Sequence, residues 1–160
     1  MDFEFSDDQR AIQDAITRVC ARFGADYWLQ KDRDGGFPHE FHVAIAADGW
    51  LGIAMPEQYG GSGLGITEAA LMMETIAASG AGFSGASAIH MNIFGLHPVV
   101  VYANDEQKQR WLPPLIAGTD KACFGVTEPG AGLNTTRLTT KAVRDGDDYV
   151  ITGQKVWIST

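Results

Sequence analysis

Thr127, Gly130, Gly132, Trp157 and Ser159 are the residues of this chain whose types and spacing could do chemistry. They lie in two stretches, VTEPGAGLNT at 126–135 and KVWIST at 155–160. Three readings of the glycines compete. A dinucleotide-binding turn needs a third glycine where Thr135 stands and a helix directly after it, whereas the following residues look extended. A plain turn accounts for Glu128-Pro129-Gly130, with proline presetting φ and glycine taking a positive φ, but leaves Gly132 unexplained. A ligand-facing loop accounts for both glycines, because bare backbone N–H groups can then approach a ligand, and Thr127 adds a hydroxyl. In the second stretch an extended chain puts Trp157 and Ser159 on one side, where the indole could cover a planar ligand. An aromatic, a hydroxyl and exposed amides suit a flavin ring. An ordinary turn and a core tryptophan suit the same residues, and the pattern alone leaves both open.

The bulk properties narrow the classes. A chain of 160 residues, 45% hydrophobic and 20% charged, is long enough for one domain with a real core, or one domain and part of another. A net charge of −8 with no Lys/Arg cluster argues against a nucleic-acid partner. Cys20 and Cys123 are far apart and lack the spacing of a disulfide scaffold or a zinc site. The acidic start MDFEFSDDQR is unlike a secretory signal, and no stretch approaches the ~18 apolar residues of a membrane span. The expectation is a soluble, cytoplasmic or matrix-type protein with no metal.

The elements that must position these residues can be read in order. Ser6 and Gln9 form a capping box, Asp7 and Asp8 sit in the first turn, and Ile12, Ile16, Val19 and Phe23 make an apolar stripe that Gly24 stops. A second helix is predicted from Pro38 to about Ala47, with Phe41 and Ile45 inward. The glycines of MPEQYGGSGLG mark an irregular loop without the Gly-Lys-Ser/Thr of a phosphate-binding loop. Thr67 can cap a buried helix, GASAIHMNIFGL reads as another, Pro98 restarts a short one, and DEQKQRWLPPL breaks at its prolines. From Lys121 the pattern changes to strands: KACFGVT, then TTKAVR and DYVITG around an Asp145-Gly146 hairpin signal, then KVWIS. Helices followed by strands suggest separate layers or domains.

Read together, CFGVTEPGAGLNTT and DGDDYVITGQKVWIST closely resemble the acyl-CoA dehydrogenase family, whose members carry a Thr-Glu-Pro-x-Ala-Gly-Ser-Asp segment and, after a hairpin, Gly-x-Lys-x-Trp-Ile-Ser/Thr. FSDDQRAIQDAITRVC, MPEQYGGSGLG and NDEQKQRWLPPLIAGTDKACFG look like that family's N-terminal region, so the resemblance spans essentially the whole chain. It implies a mainly α fold with a short β segment: an N-terminal helical domain over 1–120 and the start of an antiparallel middle β-domain over 121–160. The rest of the β-domain and the C-terminal helical domain are absent, and a truncation is the expectation. It implies FAD-dependent α,β-dehydrogenation of an acyl-CoA to the trans-2-enoyl-CoA. In that chemistry a glutamate base takes the α-proton, flavin N5 accepts the β-hydride, and an electron-transfer flavoprotein takes the electrons. Hydrogen bonds to the thioester carbonyl stabilise the enolate-like charge. The resemblance further implies a homo-oligomer, dimer or tetramer, or a partner chain completing the site.

Carried over by position, Phe124, Val126, Thr127, Gly132, Leu133, Trp157 and Ser159 are the cofactor contacts that the resemblance implies, and Leu133 and His90 the substrate contacts. The family's catalytic glutamate lies beyond residue 160, so no base is named, and Glu128 belongs to the turn. Leu133-Asn134 departs from the usual Ser-Asp, removing a hydroxyl and a charge that can anchor the loop. His90, where the family lines its acyl pocket, either limits the acyl group or is a hydrogen-bonded core histidine. Alternatives to the dehydrogenase are a flavin oxidase or monooxygenase of the same fold, and a non-catalytic module that completes a flavin site with another chain. The segment from Lys121 onward would expose strand edges and an unfilled apolar face. It is expected to aggregate, oligomerise or stay disordered in this chain alone. A monodisperse monomer with strong amide-exchange protection over residues 137–160 contradicts that.

Overall fold

A computed structural model describes residues 4–158, mainly α-helical and followed by a two-stranded antiparallel hairpin. The chain divides into two compact units, Met1–Ala122 and Cys123–Thr160. The first unit holds α1 (Asp7–Cys20), α2 (Ala25–Asp34), α3 (His39–Ala47), α4 (Ile66–Ile76), α5 (Gly82–His90), α6 (His97–Tyr102) and α7 (Asp105–Ile116). None of the described helices is long and apolar enough to cross a membrane.

α1 forms as its cap dictates. The Ser6 hydroxyl accepts from the Gln9 N–H at 3.2 Å, and the Gln9 side chain accepts from the Ser6 N–H at 3.1 Å. Its stripe, Ile12, Ile16 and Val19, is buried. The helix ends at Ala21, and Gly24 instead leads into α2, for which the sequence shows no repeating stripe because only Trp28 of its ten residues is buried. α2 is anchored there by edge-to-face packing, with Trp28 5.1 Å from both Tyr27 and Phe41. Gly35 closes it at φ +67°. Phe41 and Ile45 of α3 are completely buried, as their spacing predicts.

The cap of α4 is Gly65, not Thr67: the Glu68 carboxylate accepts the Gly65 N–H at 3.1 Å. Glu68 also accepts from Gln9 at 3.1 Å, tying α1 to α4. The glycine-rich loop before α4 is structural. Ser62, Gly63 and Leu64 donate backbone bonds to Gly52, Met55 and Ile53, and a Cβ on Gly61 would strike the Met55 carbonyl. α4 and α5 are separated by a kink at Gly80 (φ +99°), and a widened turn over Met91–Gly95 follows α5.

α7 runs through Pro113 and Pro114 to Ile116 where the sequence suggests a break. The carbonyls that lose partners belong to Gln109 and Arg110, both exposed and free to bond water. Buried Leu112, Leu115 and Ile116 meanwhile hold the last turn in a second core with Met55, Tyr59 and Leu96. Across this core the buried Asn92 amide donates to the Leu115 carbonyl at 3.0 Å.

In the second unit β1 (Lys141–Asp145) pairs with β2 (Asp148–Thr152), Val143 opposite Val150. The turn centre is Gly146-Asp147, one residue beyond the sequence signal, with Gly146 at φ +61°; glycine at the first central place is what a type II′ turn requires. Residues 121–127 and 155–158 form no strand. A single backbone bond, Val156 N–H to the Thr127 carbonyl at 3.0 Å, stands where a ladder was expected, and Trp157 at φ +60° turns the chain out of extended geometry immediately after it.

The main core sets the stability of the helical unit. Phe41→Ala is expected to cost about 3–5 kcal/mol by urea unfolding. Val43→Ala on the exposed side of α3 should stay within about 0.5 kcal/mol.

Candidate functional site

The VTEPGAGLNT stretch closes on itself through two backbone bonds. Glu128 N–H donates to the Ala131 carbonyl at 3.0 Å, and Ala131 N–H donates back to Glu128 at 3.1 Å. Pro129 and Gly130 are the central pair, and Gly130 does not take the positive φ expected of it. A type I turn has negative φ at both central residues and splays its flanks, which suits an isolated pairing that never grows into a ladder. The turn faces Gly132 and Leu133 outward. Leu133 is fully exposed, and a Cβ on Gly132 would meet nothing within 4 Å. Among the described residues the N–H groups of Val126, Thr127, Gly132 and Leu133 have no hydrogen-bond partner.

Asn134 replaces the charge of the usual pattern with an amide that anchors locally. Its side-chain oxygen accepts the Thr136 N–H at 3.2 Å and also the Thr136 hydroxyl. A carboxylate is therefore unnecessary for fixing this loop end.

Glu128 is the residue whose importance the sequence understates. It is 4% exposed, yet its carboxylate is fully employed. One oxygen accepts the Thr139 N–H at 2.7 Å and the Thr139 hydroxyl at 2.8 Å; the other accepts the Thr140 N–H at 2.8 Å and the Lys155 ammonium at 3.0 Å. The nearby Thr140 hydroxyl and then the Thr139 N–H, against the cost of burial, hold the carboxyl well below the usual carboxylate range. The Thr140 hydroxyl acts by proximity, since it meets no hydrogen-bond geometry among the described residues. Lys155 gives a second bond to the Val126 carbonyl at 2.9 Å. A lysine two residues before Trp157 was the available signal, and nothing in its spacing shows that it reaches back 27 positions.

The second unit thus brings Val126 and Thr127 beside Lys155 and Val156, immediately before Trp157, which is 89% exposed. Phe124 is 43% exposed in the segment leading to Val126. Ser159 lies outside the described residues. His90 belongs to the helical unit. Its buried Nδ1 has no partner among the described residues, and its ring stacks on Phe94 at 5.0 Å and 14°. It is therefore no hydrogen-bonded core histidine at that atom. No group of three or more His, Cys, Asp or Glu side chains among the described residues is set to hold a metal.

A helical unit capped and kinked in this way, followed by a hairpin, has close relatives of known class. A family profile described as the acyl-CoA dehydrogenase N-terminal domain matches residues 6–119. The chain belongs to the acyl-CoA dehydrogenase family. It is 38% identical over 157 residues to acyl-CoA dehydrogenase FadE12 of Mycobacterium tuberculosis, covering 96% of this chain and 39% of that protein. A solved structure of a probable acyl-CoA dehydrogenase from Mycobacterium abscessus is 34% identical with a TM-score of 0.86, over 96% of this chain and 41% of that one. A second, described as the electron transferring flavoprotein of Acidaminococcus fermentans, is 31% identical with a TM-score of 0.88, over 99% and 41%. The chain therefore spans about two fifths of the length of the relatives it matches. The fold is that family's N-terminal helical domain and the start of its β-domain.

Because the folded-state pKa of Glu128 is depressed, its contribution to stability is complete above the ordinary carboxylate value of 4.5 and is lost as pH falls from there towards the folded value. Amide-exchange protection at Thr139 and Thr140, corrected for intrinsic rates, is expected to decline below about pH 4.5 and to lose that pH dependence in Glu128→Gln. Protection that is flat with pH in the unaltered chain contradicts the assignment.

Proposed function

We propose that this chain supplies the N-terminal helical domain and a cofactor-facing surface of an enzyme that dehydrogenates an acyl-CoA thioester at Cα–Cβ with FAD. The observation that carries the reading is Trp157: a large apolar ring, 89% exposed, on a non-glycine residue at φ +60°. Such outliers cost free energy and cluster at functional sites. Its neighbour Val156 is bonded to Thr127, whose own N–H and hydroxyl are open among the described residues.

These residues fit a flavin. The unbonded N–H groups of Val126, Thr127, Gly132 and Leu133 offer donors to ring heteroatoms, and the bare Gly132 lets the ring approach the backbone. Trp157 would cover ring surface, while Phe124 and Leu133 would exclude water around it. FAD, when bound, supplies the acceptor for the hydride leaving Cβ. Ser159 is retained as a proposed further contact on the resemblance alone.

For the substrate, Leu133 with its leucine side chain in place of serine offers an apolar contact. His90 is retained as a proposed substrate contact on the resemblance alone, its Nδ1 being buried and unpartnered among the described residues. The catalytic base, the electron-transfer flavoprotein as electron acceptor and assembly into a homo-oligomer belong to this reading, supported by family membership. The span of two fifths of its relatives favours this chain being one part of the catalyst.

The test is an FAD titration of the chain followed by gel filtration. A flavin absorption band shifted from that of free FAD should co-elute with the protein, and Trp157→Ala should weaken binding roughly tenfold. FAD that elutes free with an unshifted spectrum contradicts placing the cofactor surface on this chain.

A further inference from the structure

The cofactor-facing reading leaves unexplained how an exposed tryptophan is kept in a costly backbone conformation on a segment without a strand ladder. Three polar contacts lie directly before it: Lys155 to the Val126 carbonyl at 2.9 Å, Lys155 to Glu128 at 3.0 Å, and Val156 N–H to Thr127 at 3.0 Å. Two of the three pass through Lys155, and Lys155 is held by a carboxylate that also receives both donors of Thr139 and the N–H of Thr140 at the entry to the hairpin. Glu128 therefore joins its own turn, the entry of β1 and the exit of β2. The exit lies tight against the entry, since a Cβ on Gly153 would strike the Thr140 side chain.

We propose that Glu128 and Lys155 are a positioning pair: they fix the segment carrying Trp157 against the end of the Thr127 segment and so set the geometry of the cofactor-facing surface. Neither touches reacting atoms, and neither is a catalytic residue. The charge is essential to the arrangement. A carboxylate offers about four acceptor sites and no donor. The structure presents it with four donors, Thr139 N–H, Thr139 hydroxyl, Thr140 N–H and Lys155. Glutamine has the same shape but would turn an amide NH₂ towards two of those donors. The pair is also one-sided in burial, Glu128 at 3% side-chain exposure and Lys155 at 26%. Lost charge at 128 strands the backbone donors, whereas lost charge at 155 leaves a buried, still partly satisfied carboxylate.

The proposal rests on the cofactor-facing reading for its purpose, so its test has one part with no flavin. In the flavin-free chain, Glu128→Gln and Lys155→Met should each raise the exchange rate of the Val156 amide roughly tenfold and shift the Trp157 indole resonance in the same direction. The double variant should be no worse than the more severe single, because both break one unit. Lys155→Arg should restore the wild-type resonance, and exchange in α1–α7 should be unchanged. Thr139→Val, which removes one hydroxyl donor, should give a smaller shift of the same kind and serves where Glu128→Gln unfolds the hairpin. In the second part, FAD affinity should fall about tenfold in Glu128→Gln but should not fall further when Trp157→Ala is already present. Strictly additive effects, an unmoved Trp157 resonance, or no rescue by arginine overturn the pair. Should the unaltered chain take up no FAD, the proposed function fails, while the flavin-free resonances still decide the pair.

Discussion

A buried carboxylate with four hydrogen-bond donors is the constraint on which the second unit depends. Glu128 has 4% of its surface exposed, and burying a charge is costly unless it is paired and bonded. Here the cost is met by donors from two stretches of chain, Thr139–Thr140 at the entry of β1 and Lys155 beyond the exit of β2. Residues 121–127 and 155–158 lack strand pairing, and the hairpin β1–β2 is exposed along all ten of its residues. A sheet usually fixes its strands with a ladder and an apolar face. This segment fixes its ends with one ion and the groups around it. Among the described residues, that arrangement leaves Leu133, Trp157 and the amides of 126–127 and 132–133 uncommitted.

The helical unit works by the opposite principle. Its order comes from apolar burial: Ile16, Phe41, Ile45, Met72, Ile76 and Ile89 are at or near zero exposure in one continuous core. Some of its polar bonds finish element ends, as at Ser6, Gly65 and Asn104. Where a helix departs from regular geometry, at Gly80 and over Met91–Gly95, the departure sits on either side of α5. That helix ends in His90, whose buried Nδ1 has no hydrogen-bond partner among the described residues.

How much of this was legible follows from what each signal measures. The cap of α1 and the stripes of α1 and α3 depend on residues three and four apart, and they appear where the sequence puts them. α2 has one buried residue and therefore no stripe to read. α7 passes its prolines because exposure of Gln109 and Arg110 makes the lost bonds cheap, a tertiary fact invisible to local propensity. The apolar runs at 121–127 and 155–159 read as strands, but no strand forms over 121–127 or 155–158. The tie between Glu128 and Lys155 spans 27 positions, and no local pattern encodes it. The left-handed conformation of Trp157 is likewise invisible to local propensity, which disfavours a positive φ for an aromatic residue.

Whether Trp157 meets the flavin is read from the indole N–H resonances of the chain's four tryptophans while FAD is added. Trp28 is buried with its indole bonded to the Phe23 carbonyl at 3.0 Å, and it serves as an internal reference. A saturable shift is expected at Trp157, with Trp28 unmoved. A Trp157 resonance that stays in place while FAD saturates the protein would contradict it.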